Sequence, residues 1–362
     1  MPIAGLILTL LIAVAASFAR AADVPGDDWT VSAAKPELAR EVGIAFHPDA
    51  APVLRGVRAV LIAQGDRIIA ERYREGFSAD SRFLSWSMAK SITHALAGVM
   101  VREGRLALDA PLPVPEWQRD PQDPRRAITL DQALRMSTGL GFSEDYEDLL
   151  DSDVIRMLFG RGAADMGGYA AVQALQYAPG THWAYSSGTT NIVSRVIRDG
   201  AGGTEDSYRA FIERELLSPI GIRDAVLEFD AAGTLIGSSL VFMRARDYAR
   251  FGLLYLRDGV WGERRILPEG WVAHAQRPTP GSHGSYGAHW WLSFAEEDRV
   301  PSAIRRFPAD AYMARGHQEQ SIIVVPSKGL VLVCLSLIDE TDVSVLQDYL
   351  AGLIEAAVPD PS

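Results

Sequence analysis

Ser87-Met88-Ala89-Lys90 places a hydroxyl and an amine three residues apart at the start of an apolar run. On a helix, residues three apart share a face, so the two groups would sit one turn from each other. A serine becomes a strong nucleophile when a neighbour takes its proton, and a lysine can be that neighbour once burial has lowered its pKa. Arginine stays protonated and cannot. Of the 35 basic residues only Lys35, Lys90 and Lys328 are lysines, so Lys90 stands where this chain ordinarily uses arginine. The tetrad alone decides nothing, because Ser32-Ala33-Ala34-Lys35 repeats it in a polar setting, with Pro36 biasing Lys35 toward extended backbone. At position 87 two readings stay open. Ser87 and Lys90 are a nucleophile and its base, or Ser87 caps a helix while Lys90 reaches out to water.

Two other stretches carry chemistry. Tyr185 lies in a turn that begins at Pro179-Gly180, ahead of a helix expected from about Asn191. A tyrosine can shuttle protons where a nearby cation favours its phenolate, and Lys90 would supply that cation if the turn folds over the Ser87 helix. Otherwise Tyr185 only packs. Further on, Arg315-Gly316-His317-Gln318-Glu319-Gln320 enters a strand. A glycine at a strand edge lets a ligand approach the backbone, and an N–H near His317 could pair with that of Ser87 as an oxyanion hole. The plainer reading is an edge strand whose polar residues face water.

These groups must be positioned by larger elements. Val57–Ala63 and Arg67–Arg74 read as strands joined at Gln64-Gly65-Asp66. Met88, Ile92, Ala95, Leu96, Val99 and Met100 give the next segment a helical period, closed by Gly104. Five prolines between Pro111 and Pro124 make a surface loop. Helical periods dominate from Leu130 to about Ala275, at Ile192–Arg198, Tyr208–Leu217 and Tyr248–Leu256. Strands are expected at Ala288–Phe294, Ala311–Arg315, Ser321–Val325 and Leu330–Leu337, then a helix from about Val343 to Ala357. The reading is an α+β chain. One sheet is built from both ends, about residues 22–85 and 280–362, with a helical insertion over about 86–279.

Composition narrows the function. Residues 3–16 are an apolar run and Ala19-Arg20-Ala21 suits signal cleavage, so a periplasmic or secreted location is expected, with processing near Ala21. A net charge of −11 argues against nucleic acid as a partner, because phosphate binding needs clustered cations. The single cysteine, Cys334, sits in an apolar strand and reads as an inert buried thiol. No metal-ligand spacing, no cofactor signature and no Gly-x-Ser-x-Gly elbow occurs. Six of the ten residues from Glu144 to Asp153 are acidic, either a rim that attracts an amine-bearing substrate or a solvated helix face. Trp290-Trp291 either lines a binding cleft or, as is commoner for paired aromatics in a strand, has one ring in the core.

Taken in order, Ser-x-x-Lys, a Tyr-x-x motif and a strand with Gly316 and His317 resemble the serine β-lactamase and penicillin-binding protein superfamily. The nearest branch is the class C-like one, with family VIII esterases and 6-aminohexanoate-dimer hydrolases. Met136-Ser137-Thr138-Gly139-Leu140, Glu144-Asp145-Tyr146 and Asp247-Tyr248-Ala249-Arg250-Phe251-Gly252 agree, so the resemblance covers roughly residues 55 to 340. It implies a β-lactamase/DD-peptidase-like fold with Ser87 as nucleophile, Lys90 as base and Tyr185 as proton relay. It also implies an oxyanion or substrate subsite near Ser87, Gly316, His317, Gln318 and Tyr146, where the branch places an aromatic. Two departures count. Ser187 stands where lactamase relatives have Asn, and Gly316-His317-Gln318 replaces Lys-Thr-Gly, with Arg315 expected on the opposite strand face. Glu319 also stands where hydrolase relatives often have Gly. The expectation is therefore a hydrolase of small esters or amides, ahead of a β-lactamase or a peptidoglycan-directed carboxypeptidase or amidase. A non-catalytic binding module of the same fold is the other alternative. Neither the acyl group nor the oligomeric state is specified by the sequence.

Overall fold

The computed structural model describes residues 24–26, 28–146, 151–292, 307–339 and 343–358. The leader at residues 1–21 and positions 147–150 of the acidic stretch lie outside the described residues.

From the N-terminal side come β1 (Thr30–Val31), α1 (Pro36–Ala45) and the hairpin β2 (Val57–Gln64) and β3 (Arg67–Tyr73). The middle of the chain holds β4 (Arg82–Leu84), α2 (Met88–Arg102), α3 (Leu130–Leu134), α4 (Asp153–Phe159), α5 (Met166–Ala171), α6 (Ser187–Gly200) and α7 (Glu205–Ile212). It continues through β5 (Val226–Leu227), β6 (Val241–Arg244), α8 (Ala245–Leu256), β7 (Val260–Trp261), β8 (Arg264–Arg265) and α9 (Trp271–Gln276). The last elements are β9 (Tyr312–Gly316), β10 (Gln320–Val325), β11 (Leu330–Ser336) and α10 (Ser344–Ala357). The six-stranded sheet runs β1-β3-β2-β11-β10-β9, so strands from both ends of the chain meet at the β2–β11 seam. Its pairs are antiparallel except β1 on β3, which is parallel. The mainly helical middle also contributes two small sheets, β4-β6-β5 and β7-β8, that helical periodicity did not foretell.

The sheet strands read as unbroken apolar runs because both faces are covered. In β11, Val331, Val333 and Leu335 face one core, while Leu330, Leu332 and Cys334 face a second core beneath α1 and α10. Each such side chain contributes roughly 1.5–3 kcal/mol when fully buried. The Cys334 thiol is pushed up to about 12 by that burial. Helix α8 lies against the first face at close range: a Cβ at Gly252 would fall 2.8 Å from Ile322 Cγ2. At the other end, the buried Arg250 of α8 donates to the Pro25 and Ile220 carbonyls and lies over the Trp29 ring.

Helix α2 occupies the centre of the larger core, and every residue from Met88 to Met100 is buried. Its apolar period is therefore only half the story, because buried polar groups need partners. Ser91 Oγ donates to the His289 carbonyl at 2.7 Å, Thr93 Oγ1 to that of Gly237 at 2.9 Å, and His94 Nδ1 lies 2.7 Å from Tyr255 Oη. Trp271 packs over Gly98, where a Cβ would stand 2.7 Å from its indole Cε2.

Candidate active site

Ser87 precedes the first residue of α2 but does not cap it: its side chain makes no capping bond, and its backbone is already helical (φ −65°, ψ −6°). Trp86 just before it has φ +44°, a left-handed conformation unusual for a large side chain, of the kind that accumulates at functional sites. The sharp bend leaves Ser87 Oγ free to face a cavity of about 870 Å³. Lys90 does not reach for water either, being 1% exposed. Both halves of the plainer reading of this tetrad are thereby corrected.

Lys90 Nζ lies 3.0 Å from Ser87 Oγ, 2.9 Å from Ser187 Oγ and 3.1 Å from the Ser238 carbonyl oxygen. Burial brings its pKa down to about 8, against the opposing pull of the Glu144 carboxylate. About a tenth of Lys90 is then a neutral amine at pH 7, far more than for a lysine in water, and it is held against a serine hydroxyl. That pairing is what activating a nucleophile requires.

Helix α6 starts at Ser187, four residues earlier than expected, because Ser186 caps it by accepting from Thr189 N at 3.0 Å. The early start places Tyr185 and Ser187 beside Lys90. The ammonium lies over the Tyr185 ring, 4.7 Å from its centroid, and the phenol is hydrogen-bonded with Ser87. Lys90 was expected to favour the phenolate. Instead burial, reinforced by Tyr286 and Glu144, raises the Tyr185 pKa well above the ordinary phenol value. Tyr185 is a neutral phenol here, suited to giving a proton rather than starting as a base. Trp291 and Tyr286 brace its ring at 5.5 and 5.8 Å.

Strand β9 closes the opposite wall. A Cβ on Gly316 would collide with the Ser85 carbonyl and stand 3.2 Å from Ser87 N, so only glycine lets the strand end run beside the Ser87 backbone. The next turn has left-handed Gln318 and Glu319 (φ +60° and +63°) and is tied from beneath. Ser336 Oγ donates to the Gln318 carbonyl at 2.7 Å, and Gln320 Nε2 donates to the Ser336 carbonyl at 2.5 Å. His317 is exposed on the cavity wall, 6.1 Å from the near-parallel Tyr146 ring and 5.3 Å from the edge-on Trp86 ring. The Gln318 side chain donates to Asp339 at 2.9 Å, so its backbone rather than its amide is left for the site. Arg315, expected to face away, lines the cavity, with its guanidinium over Trp291 and 3.5 Å from Glu319.

The structure thus brings together Ser87, Lys90, Tyr185, Tyr146, Gly316, His317 and Gln318. It adds groups that sequence reasoning did not assign. Glu144, counted only within an acidic stretch, turns inward and accepts from Ser187 N at 2.8 Å and from Ser187 Oγ at 2.5 Å. Tyr146 Oη donates to the same carboxylate at 3.1 Å. The Ser238 carbonyl has no side-chain signature that could have announced it. Trp290 is fully buried and Trp291 lines the cavity, as the pairing suggested.

Comparison with known proteins gives the same outline. The chain is 27% identical to the 6-aminohexanoate-dimer hydrolase of Paenarthrobacter ureafaciens over 265 residues, which are 67% of this chain and 66% of that enzyme, just under two thirds of its length. A Bacillus anthracis structure named for the same hydrolase superposes with a TM-score of 0.72 at 19% identity, over 93% of this chain and 89% of that one. A family VIII carboxylesterase gives 0.65 at 17% identity, over 90% and 98% of the two chains. The family model described as Beta-lactamase matches residues 50–356. The chain belongs to the beta-lactamase family.

Proposed function

We propose that this β-lactamase-fold hydrolase cleaves small esters or amides through an acyl-enzyme on Ser87, with Lys90 as base and Tyr185 as proton donor. The observation that carries the reading is the contact of 3.0 Å between Lys90 Nζ and Ser87 Oγ, at a lysine 1% exposed. In the acylation step Ser87 Oγ bonds to the substrate carbonyl carbon as its proton passes to Nζ. Backbone N–H groups of Ser87 and of the β9 end receive the charge on oxygen. As the bond to the leaving group breaks, Tyr185 protonates the departing alkoxide or amine and recovers its proton from the Lys90 ammonium. A water that gives a proton to the neutral Lys90 then attacks the acyl carbon, and that proton returns to Ser87 Oγ as the acid leaves. Esters are the easier class, because an alkoxide leaves with less help than an amine.

The absence of a lysine on the strand beside the site argues against β-lactams and peptidoglycan C-termini as preferred substrates. Arg315 already has Glu319 as a neighbour at 3.5 Å. The similarity to a 6-aminohexanoate-dimer hydrolase makes amides the second arm of a substrate screen.

The reading is tested by exposing the folded protein to a fluorophosphonate, measuring the intact mass and mapping the adduct. One adduct on Ser87, lost in Lys90→Ala, supports it. A folded protein that takes no label would hand the site to the binding-module alternative.

A further inference from the structure

The hydrogen-bond directions around Lys90 are fixed by a residue that does not touch it. The Ser238 carbonyl, 3.1 Å from Nζ, can only accept. Ser187 has one hydroxyl proton, and the Glu144 oxygen 2.5 Å away can only accept it. Ser187 Oγ therefore presents a lone pair to Nζ at 2.9 Å. While Lys90 is an ammonium, its three protons meet three acceptors. When it loses one, the remaining two N–H bonds belong to Ser187 and Ser238, and the nitrogen lone pair is left facing Ser87 Oγ at 3.0 Å. Deprotonation creates the base in the direction of the nucleophile without any side-chain rotation.

We infer that Glu144, acting through the Ser187 hydroxyl, is the residue that aims the Lys90 lone pair at Ser87. The inference rests on the reading of Lys90 as base. Were the Ser187 hydroxyl reversed, it would donate to Nζ, occupy the lone pair and leave an N–H pointing at Ser87. The carboxylate prevents this because it also accepts from Ser187 N at 2.8 Å, so both of its oxygens are engaged by one residue. Tyr146 Oη donates at 3.1 Å to the same oxygen that accepts from Ser187 Oγ. The other titratable groups around Lys90 are neutral. They are the Tyr185 phenol and His289, which burial brings down to about 3. The arrangement also gives Ser187 a purpose where lactamase relatives have an asparagine. Either side chain can accept from the lysine on one side and donate to a carboxylate on the other.

Glu144→Gln separates aim from charge. A carboxamide offers one acceptor and one donor, while Ser187 presents a fixed N–H and a rotatable O–H. The amide oxygen takes the N–H, the NH2 group faces Oγ, and the serine proton turns toward Lys90. The readout is the rate of Ser87 phosphonylation by a fluorophosphonate, followed on both sides of the Lys90 titration. The plateau rate at high pH, where all of Lys90 is neutral, should fall by about tenfold or more. The acid limb should move to lower pH as the carboxylate field is lost. KM for an ester substrate should change little. In Ser187→Ala the plateau should fall similarly, and adding Glu144→Gln to it should cost little more, because both act on one hydrogen bond.

An unchanged plateau in Glu144→Gln, with only the limb displaced, would reduce Glu144 to an electrostatic neighbour and overturn the inference. So would losses that multiply in the double variant. Lys90→Ala labelled at the wild-type rate would instead remove the base reading itself, a failure distinct from the other two. Matching unfolding temperatures establish that each variant is folded.

Discussion

Two four-residue stretches of this chain have the same Ser-Xaa-Ala-Lys form and share nothing else. Ser32-Ala33-Ala34-Lys35 joins an edge strand to a helix, and Lys35 is exposed and extended (φ −58°, ψ 148°) at the start of α1. Ser87-Met88-Ala89-Lys90 enters a helix buried on every face, and its lysine meets groups 97 and 148 residues away in sequence. The first lysine stands in water. The second has exchanged water for two serine hydroxyls and a carbonyl. A sequence motif supplies the groups, and the distant chain supplies the reactivity.

Parallel substitutions would sharpen this contrast most. Ser87→Ala should lower ester turnover by roughly 10⁴-fold or more, and Lys90→Arg by about 10³-fold, since a guanidinium cannot take the proton. Ser32→Ala and Lys35→Arg should leave kcat/KM unchanged, and a Lys90→Arg enzyme close to wild-type activity would erase the distinction. Next comes the wall that makes the second site. Gly316→Ala forces β9 away from Ser87 N, and a displacement of that kind should cost about 10²-fold in kcat, with Tm falling as well. Full activity in that variant would show the close approach to be dispensable.

Tyr185→Phe should slow amide cleavage by about 10²-fold and cleavage of an ester with a good leaving group far less, because the poorer leaving group depends more on its proton. Equal losses on the two substrates would place Tyr185 outside leaving-group protonation. The mildest perturbation is pH. Lys90 must be neutral to act, so kcat/KM should rise with pH and level off above about 8. Well below that it should fall about tenfold per pH unit, as for any single required deprotonation. A flat profile through this range would contradict the lysine as base.

Much of the scaffold was legible because its strands are covered on both faces and read as plain apolar runs. The expected strand over Ala288–Phe294 failed among its described residues for a local reason. His289 has φ +55°, which breaks an extended run, so Trp291 makes only isolated bridges to Tyr286 and Met313. The start of α6 was misplaced because its first turn, Ser187-Gly188-Thr189-Thr190, is small and polar. Those residues are weak helix formers, and here they form buried packing against the site. Ser87, Lys90, Tyr185 and Gly316 could be singled out because each chemistry-bearing type sits in a short pattern. Glu144 could not be given a role the same way. Its meaning depends on Ser187, 43 residues on, and no local pattern records that partner.

The burial of α2 on all sides has a consequence for how the molecule comes together. Apart from the Lys90–Ser87 contact, its polar side chains find partners in segments such as Gly237, Tyr255 and His289, which lie much later in the chain. Until those long-range contacts close, Ser87 is an ordinary hydroxyl and Lys90 an ordinary solvated ammonium. On the proposed mechanism, hydrolytic competence would be a late product of folding rather than a property of the segment that bears Ser87. Loss of activity in denaturant should coincide with the change in tryptophan fluorescence, and a partly folded chain would be chemically quiet.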